Sequence, residues 1–336
     1  MIDETSDSTD SAEHPFTRLT PDLVMDATES TGFRCDARIL QLNSYENRVY
    51  QIGIEDSDPV IGKFYRPDRW TDAQILEEHT FTQLLTDSDI SAIPPLEING
   101  TTLHHFEGFR FSLSPRRGGR APAVDDLNTL GILGSHIGRI HAVAGEGGFE
   151  HRTQFSVQEF GLDARDAVMN AGYVPSELMP AFESLYEGIL SDLTTLFDRV
   201  HVNVLRLHGD CHMGNVLWRD DLPHFVDFDD ARSGPAIQDL WMMLSGEREQ
   251  QQIQMMHILR GYRQFNHFNL AELQLIEGLR ALRMIHHVAW IARRWDDPAF
   301  PRAFPFFDSE RFWSEHLLSL KEQWARLSEP AIEIYD

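Results

Sequence analysis

Between Arg206 and Leu240 the chain reads RLHGDCHMGNVLWRDDLPHFVDFDDARSGPAIQDL, and oxygen-bearing side chains crowd this stretch. Asp210 is followed five residues later by Asn215; the apolar runs Val216-Leu217-Trp218 and Phe225-Val226 bracket a short turn, and Asp227 follows the second run. That order predicts a β-hairpin with polar ligands at its two ends. Phosphoryl transfer needs such a set. A carboxylate orients the attacking hydroxyl, while Mg²⁺, held by one or two protein oxygens and the nucleotide phosphates, neutralises charge developing on the transferred group.

The spacing of Asp210 and Asn215 equals that of H-R-D-L-x-x-x-N in the protein-kinase catalytic loop, and Asp227 falls where the metal-binding Asp of D-F-G would stand. Gly209 replaces the Arg and Asp229 the Gly. With both departures the stretch resembles the kinase-like phosphotransferases of the aminoglycoside and choline kinase type, whose loop reads H-G-D-x-H-x-G-N.

Such a site needs a nucleotide cover upstream. Arg48 to Ile52 alternates as a strand, a polar turn covers Glu55 to Pro59, and Val60 to Tyr65 forms a second strand. No G-x-G-x-x-G precedes them; Asn43-Ser44-Tyr45-Glu46-Asn47 supplies the tight turn, with the Ser44 hydroxyl as a phosphate donor. Lys63 stands where the Lys of V-A-I-K would stand, in a chain with only two lysines, Lys63 and Lys321. Its expected anionic partner is Glu78, with Glu77 as the alternative, on a helix capped by Thr71 or Asp72. Ser112 to Pro115 is read as a hinge, and Arg116 to Arg120, RRGGR, as a flexible lobe boundary. Beyond Asp126 apolar residues recur at three- and four-residue intervals, so helices scaffold the central hairpin. Asp239 either hydrogen-bonds the catalytic-loop backbone or is an ordinary surface acid, and the exposed face of the C-terminal helices is read as shaping the acceptor site.

The whole chain bounds these readings. Its 336 residues divide into an acidic tail (1–16), a nucleotide-binding lobe (17–115) and a catalytic, acceptor-binding lobe (116–336). No apolar run reaches membrane-spanning length, and the polar, acidic start is unlike a secretory leader, so a cytoplasmic monomer is expected. A net charge of −24 excludes nucleic acid and anionic membrane as partners. ATP remains compatible, because charges beyond roughly 10 Å are screened. Cys35 and Cys211 cannot build a disulfide framework. Cys211, beside Asp210, is a small buried hydrophobe or an oxidation-sensitive thiol.

Five segments, LNSYENRVYQ, KFYRPDRWTDAQILEEH, RLHGDCHMGNVLWRD, FVDFDDARSGPAIQDLWMML and WIARRWDDPAFP, together resemble the stress response kinase A family. The resemblance implies an α+β, bilobal protein-kinase-like fold: an antiparallel sheet with a helix in the N-lobe, and a larger helical C-lobe carrying the catalytic hairpin. It implies ATP- and Mg²⁺-dependent serine/threonine phosphorylation in oxidative or envelope stress, with a protein acceptor that includes the kinase itself. Carried over by position, Asp210 is the proton acceptor, Asn215 and Asp227 the Mg²⁺ ligands and Ser44 a nucleotide contact. Lys63 reaches the phosphates, Glu78 pairs with it, and His212 steadies the γ-phosphate or the loop. With Gly209 in place of Arg and eleven residues between Asp227 and Asp239, no phosphorylated activation segment is expected. The rival enzyme reading is a small-molecule kinase for an amino alcohol, sugar or antibiotic, since an acidic acceptor cleft would suit cationic acceptors. A nucleotide-sensing pseudokinase is the rival outside enzymes.

Overall fold

The computed structural model describes residues 14–123, 126–145 and 147–334. The expected acidic tail therefore lies outside the described residues for 1–13. From residue 14 on, a 3₁₀ turn, Pro15–Arg18, buries Phe16, and His14 reaches Arg66. The helix α1 (Pro21–Glu29) follows, with Pro21 in its first turn and the Thr20 hydroxyl accepting from Leu23 N.

The N-lobe sheet contains β1 (Cys35–Gln41), β2 (Arg48–Ile54) and β3 (Val60–Phe64). The helix α2 (Asp72–Asp87) then intervenes before β4 (His104–Phe106) and β5 (Phe109–Pro115). All pairs are antiparallel, in the order β1-β2-β3-β5-β4. Along β3, Val60, Gly62 and Phe64 point into the core. The two-residue period of a strand therefore sends Lys63 to the opposite face. There it sits between Val49 of β2 and Ser112 of β5. A reciprocal capping box between Thr71 and Gln74 starts α2.

The C-lobe begins with α3 (Leu127–Ala144), capped by Asp126, followed by α4 (Asp163–Asn170) and α5 (Met179–Arg199). Strands β6 (Leu205–Leu207), β7 (Val216–Arg219), β8 (Leu222–Phe225) and β9 (Arg232–Gly234) come next. The chain ends with α6 (Gln238–Trp241), α7 (Arg248–Tyr262), α8 (Ile276–Ala292), α9 (Ala299–Ala303) and α10 (Glu310–Arg326). The expected hairpin is β7–β8, and β6 pairs with β9 beneath it. Asp220 and Asp221 turn the hairpin at φ 53° and 59°, the two positive values that a tight two-residue turn requires. Helices α3 and α7 cross so closely that a Cβ at Gly138 would lie 2.5 Å from the Tyr262 carbonyl oxygen.

Helix α6 is a single turn, and α8 is preceded by a 3₁₀ turn, Leu270–Leu275. The RRGGR segment is pinned at its last residue: Arg120 and Trp218 exchange backbone hydrogen bonds of 3.2 and 2.6 Å, an isolated bridge to the edge of β7. An unpaired hairpin edge leaves amides and carbonyls to satisfy, and this nearby backbone satisfies them.

Candidate active site

Asp210 sits in the turn after β6, and the geometry of that turn explains the Gly before it. Gly209 has φ +87°, and a Cβ there would fall on the Asp230 carbonyl oxygen. No Arg fits. The loop backbone is instead gripped by Asp239, fully buried at the start of α6, which accepts from His208 N at 2.8 Å and Gly209 N at 2.9 Å. His141 Nε2, 3.0 Å away, and Tyr262, 2.9 Å from His141 Nδ1, hold that carboxylate in turn. This is the first of the two roles read for Asp239 in the sequence.

Around Asp210 three side chains converge. Asn215 Nδ2 donates to the Asp210 carbonyl oxygen at 3.0 Å. His212 Nδ1 accepts from Gly214 N at 2.9 Å, which places the ring proton on Nε2, 3.4 Å from Asp210 Oδ2. Arg283 Nη1 of α8 lies 2.7 Å from Asp210 Oδ1. Burial would raise the Asp210 carboxyl, but His212 and Arg283 outweigh it and hold the group well below the usual carboxylate range.

The second metal-ligand candidate lies across the hairpin. Val226 N donates to the Asn215 carbonyl at 3.0 Å, so Asn215 and Asp227 flank one hairpin end. Asp227 is left-handed, at φ 61° and ψ 59°, a conformation that Asp tolerates better than most residues. Lys63 Nζ lies 3.1 Å from Asp227 Oδ1 and 3.1 Å from Asp229 Oδ1. Burial alone would depress this ammonium; Asp229 and Asp227 instead hold it well above an ordinary lysine. The four groups read as one site therefore do gather across the cleft.

The expected Lys63 partner requires correction. Glu78 makes no ion pair within 4.0 Å of Lys63; Asp229 and Asp227 take that position. Glu78 is buried on α2, and burial raises its carboxyl to about 7 despite Lys63 and Arg152 nearby. Glu77 faces elsewhere, accepting from the amides of Glu150, His151 and Arg152 at 2.5, 2.9 and 2.8 Å. Sequence reasoning noted Asp229 only as a departure from Gly. Its carboxylate also pairs with Arg69, and Arg152 donates to its carbonyl, so two arginines share its negative charge and polar backbone with Lys63.

Ser44 lies half-buried in the β1–β2 turn. That turn is strapped to the C-lobe: Trp290 Nε1 donates to Glu46 Oε2 at 2.6 Å, and Arg294 Nε lies 2.7 Å from the same oxygen. Asp297, beyond α8, pairs with Arg48 at 2.8 Å and Arg66 at 2.6 Å. The WIARRWDD stretch thus bridges the lobes, a role its apolar pattern concealed. Cys211 is wholly buried with its thiol pushed far up by desolvation, which favours the inert hydrophobe over the oxidation-sensitive thiol.

The model of the phosphotransferase enzyme family matches residues 38–276, from β1 to the start of α8. The chain belongs to this family. Within the phosphotransferase family it groups with stress response kinase A. It is 43% identical to that protein of Escherichia coli O157:H7 over 319 residues, covering 95% of this chain and 97% of the relative. A Salmonella typhimurium relative named serine/threonine protein kinase RdoA is 40% identical over the same shares. Among solved structures, amicoumacin kinase hAmiN in complex with AMP-PNP, Ca²⁺ and Ami superposes with a TM-score of 0.71 at 18% identity, covering 93% of this chain and 95% of that one. The microcompartment-associated aminopropanol kinase superposes with a TM-score of 0.67 at 17% identity, over 90% and 95%. These structures establish the protein-kinase-like phosphotransferase fold.

Proposed function

We propose that the protein is an ATP- and Mg²⁺-dependent serine/threonine protein kinase of stress response. The observation that carries the phosphotransferase chemistry is the meeting of Lys63 with Asp227 at 3.1 Å across the cleft, with Asn215 and Asp210 at the adjoining hairpin end. The protein acceptor and the stress role rest on the relatives' names.

The residues present fit Mg²⁺. Among the described residues no three His, Cys, Asp or Glu side chains form a ready-made metal cage, and Mg²⁺ needs only one or two carboxylates beside substrate phosphates. Asn215 spends its amide N–H on Asp210, leaving Oδ1 for a cation, and half-exposed Asp227 turns a carboxylate to the cleft. When bound there, the ion would neutralise charge on the phosphates.

Lys63 would contact the α- and β-phosphates and Ser44 the nucleotide from above. Asp210 would orient the acceptor hydroxyl and take its proton as the oxygen–γ-phosphorus bond forms and the bond to the β-phosphate oxygen breaks, releasing ADP. Asn215 and His212 hold Asp210 in place for this.

Purified protein incubated with γ-labelled ATP should label serine or threonine in a protein acceptor, and EDTA should abolish the label. Asp210→Ala should lower turnover by about 10²–10⁴-fold. Labelling only of small alcohols would overturn the protein-kinase reading. Turnover unaffected by Asp210→Ala would overturn the site.

A further inference from the structure

Beside Asp210, which Arg283 contacts, lies a pocket of about 360 Å³ whose walls include His212, Trp241, Gln251, Arg280, Arg283 and Arg326. The chain has 53 acidic and 29 basic residues, yet no carboxylate is among the lining residues. The acidic, cation-accepting cleft suggested by overall charge is thus reversed where the acceptor would sit.

The three arginines are differently held. Arg280 is mostly buried, lies over the Trp241 ring and donates to Gln251 Oε1 at 2.6 Å. Glu277, outside the lining, pairs with it through Oε1 at 3.5 Å while its Oε2 accepts from Gln323 Nε2 at 2.8 Å. Arg326 is exposed, with no carboxylate within 4.0 Å among the described residues. Arg283 occupies Asp210 Oδ1, an oxygen that an incoming hydroxyl would use.

We propose that this pocket selects a serine or threonine flanked by acidic side chains, and that the acidic flank draws Arg283 off Asp210 as the hydroxyl arrives. Guanidinium groups bind carboxylates through paired, charge-assisted hydrogen bonds, so an acidic flank gives Arg283 a partner equivalent to the one it leaves. A cationic amino alcohol or aminoglycoside would meet three like charges. The volume is at the small end of ligand pockets, roughly 300–1,000 Å³, and suits one acidic side chain beside the reacting residue. The inference deepens the protein-kinase reading and rests on it.

The test uses the full-length protein with three peptides: one serine flanked by aspartates, by asparagines, or by lysines. Small alcohols, cationic (ethanolamine) and anionic (glycerol phosphate), run alongside. The aspartate peptide should exceed the asparagine peptide by about tenfold or more in kcat/KM, as expected for charge-assisted hydrogen bonds. Arg326→Glu, an exposed change, should erase or invert that preference, and Arg283→Gln should reduce it. Equal or better use of the lysine peptide overturns the charge inference while leaving the protein kinase standing. Exclusive labelling of a small alcohol overturns both. If no acceptor turns over, fluorescence anisotropy of the labelled peptides still decides: the aspartate peptide must bind more tightly than the lysine peptide, and Arg326→Glu must reverse the order. Otherwise the proposal fails.

Discussion

Arg294 at the end of α8 and Glu46 in the β1–β2 turn, 248 residues apart, form an ion pair that joins the two lobes. Trp290 donates to the same carboxylate. The turn that carries Ser44 therefore takes its position from the C-lobe as well as from its own strands. Glu46→Ala should speed amide exchange over residues 42–47 and raise KM for ATP more than it lowers kcat. Hydrogen exchange with steady-state kinetics checks both; unchanged exchange would mean that the strap does not order the turn.

Asp239 satisfies two catalytic-loop amides and His141 in a fully buried setting. Asp239→Ala strands all three, at about 1–3 kcal/mol for each unsatisfied group. Urea unfolding should show a loss of at least several kcal/mol together with a fall in kcat. Asp239→Asn should be intermediate, because its amide turns a donor toward one of the N–H groups.

Restoring the protein-kinase residue at position 209 should be harmful. Gly209 has positive φ and the Asp230 carbonyl occupies the Cβ position, so Gly209→Ala is expected to be strained and Gly209→Arg to misfold the loop. Thermal melting of the purified variants, in the order wild type, Ala, Arg, checks this.

Glu78 sets a pH dependence of stability. Its carboxyl rises from 4.5 unfolded to about 7 folded because it is desolvated. The folded protein thus holds a proton that the unfolded chain releases, so the contribution of Glu78 to stability is fully present below 4.5 and is lost as pH climbs to about 7, opposite in sign to that of the depressed carboxyls of Asp229 and Asp297. Glu78→Gln should stabilise by on the order of 2–3 kcal/mol at pH 8 and by almost nothing at pH 4. Glu272, also raised to about 7 by burial, adds a slope of the same sign. Melting curves of Glu78→Gln, Glu272→Gln and the double variant separate the two.

Phosphatase treatment should leave activity intact. Between Asp227 and Asp239 the only hydroxyl is Ser233, buried in β9 and accepting from Phe149 N at 2.8 Å. A loss of turnover restored by autophosphorylation in this segment would contradict that.

The proximity of Asp210, Asn215 and Asp227 was legible in the sequence because they flank the two ends of one short hairpin, where local spacing fixes their separation. Lys63 was legible for a different reason: it is one of two lysines, on a strand whose alternation leaves it off the core face. Periodicity also placed the major helices, since burial of one face depends on residues three and four apart. Tertiary structure decided what depends on chain meeting chain. Asp229 displaced Glu78 from Lys63, because burial on α2 favours the protonated carboxyl while Arg69 and Arg152 stabilise Asp229 as an anion. Arg283 and Arg326, from two helices far along the chain, made the pocket beside Asp210 positive inside an acidic protein. No spacing rule encodes such encounters, because the distance between elements remote in sequence is set only when their shared core packs.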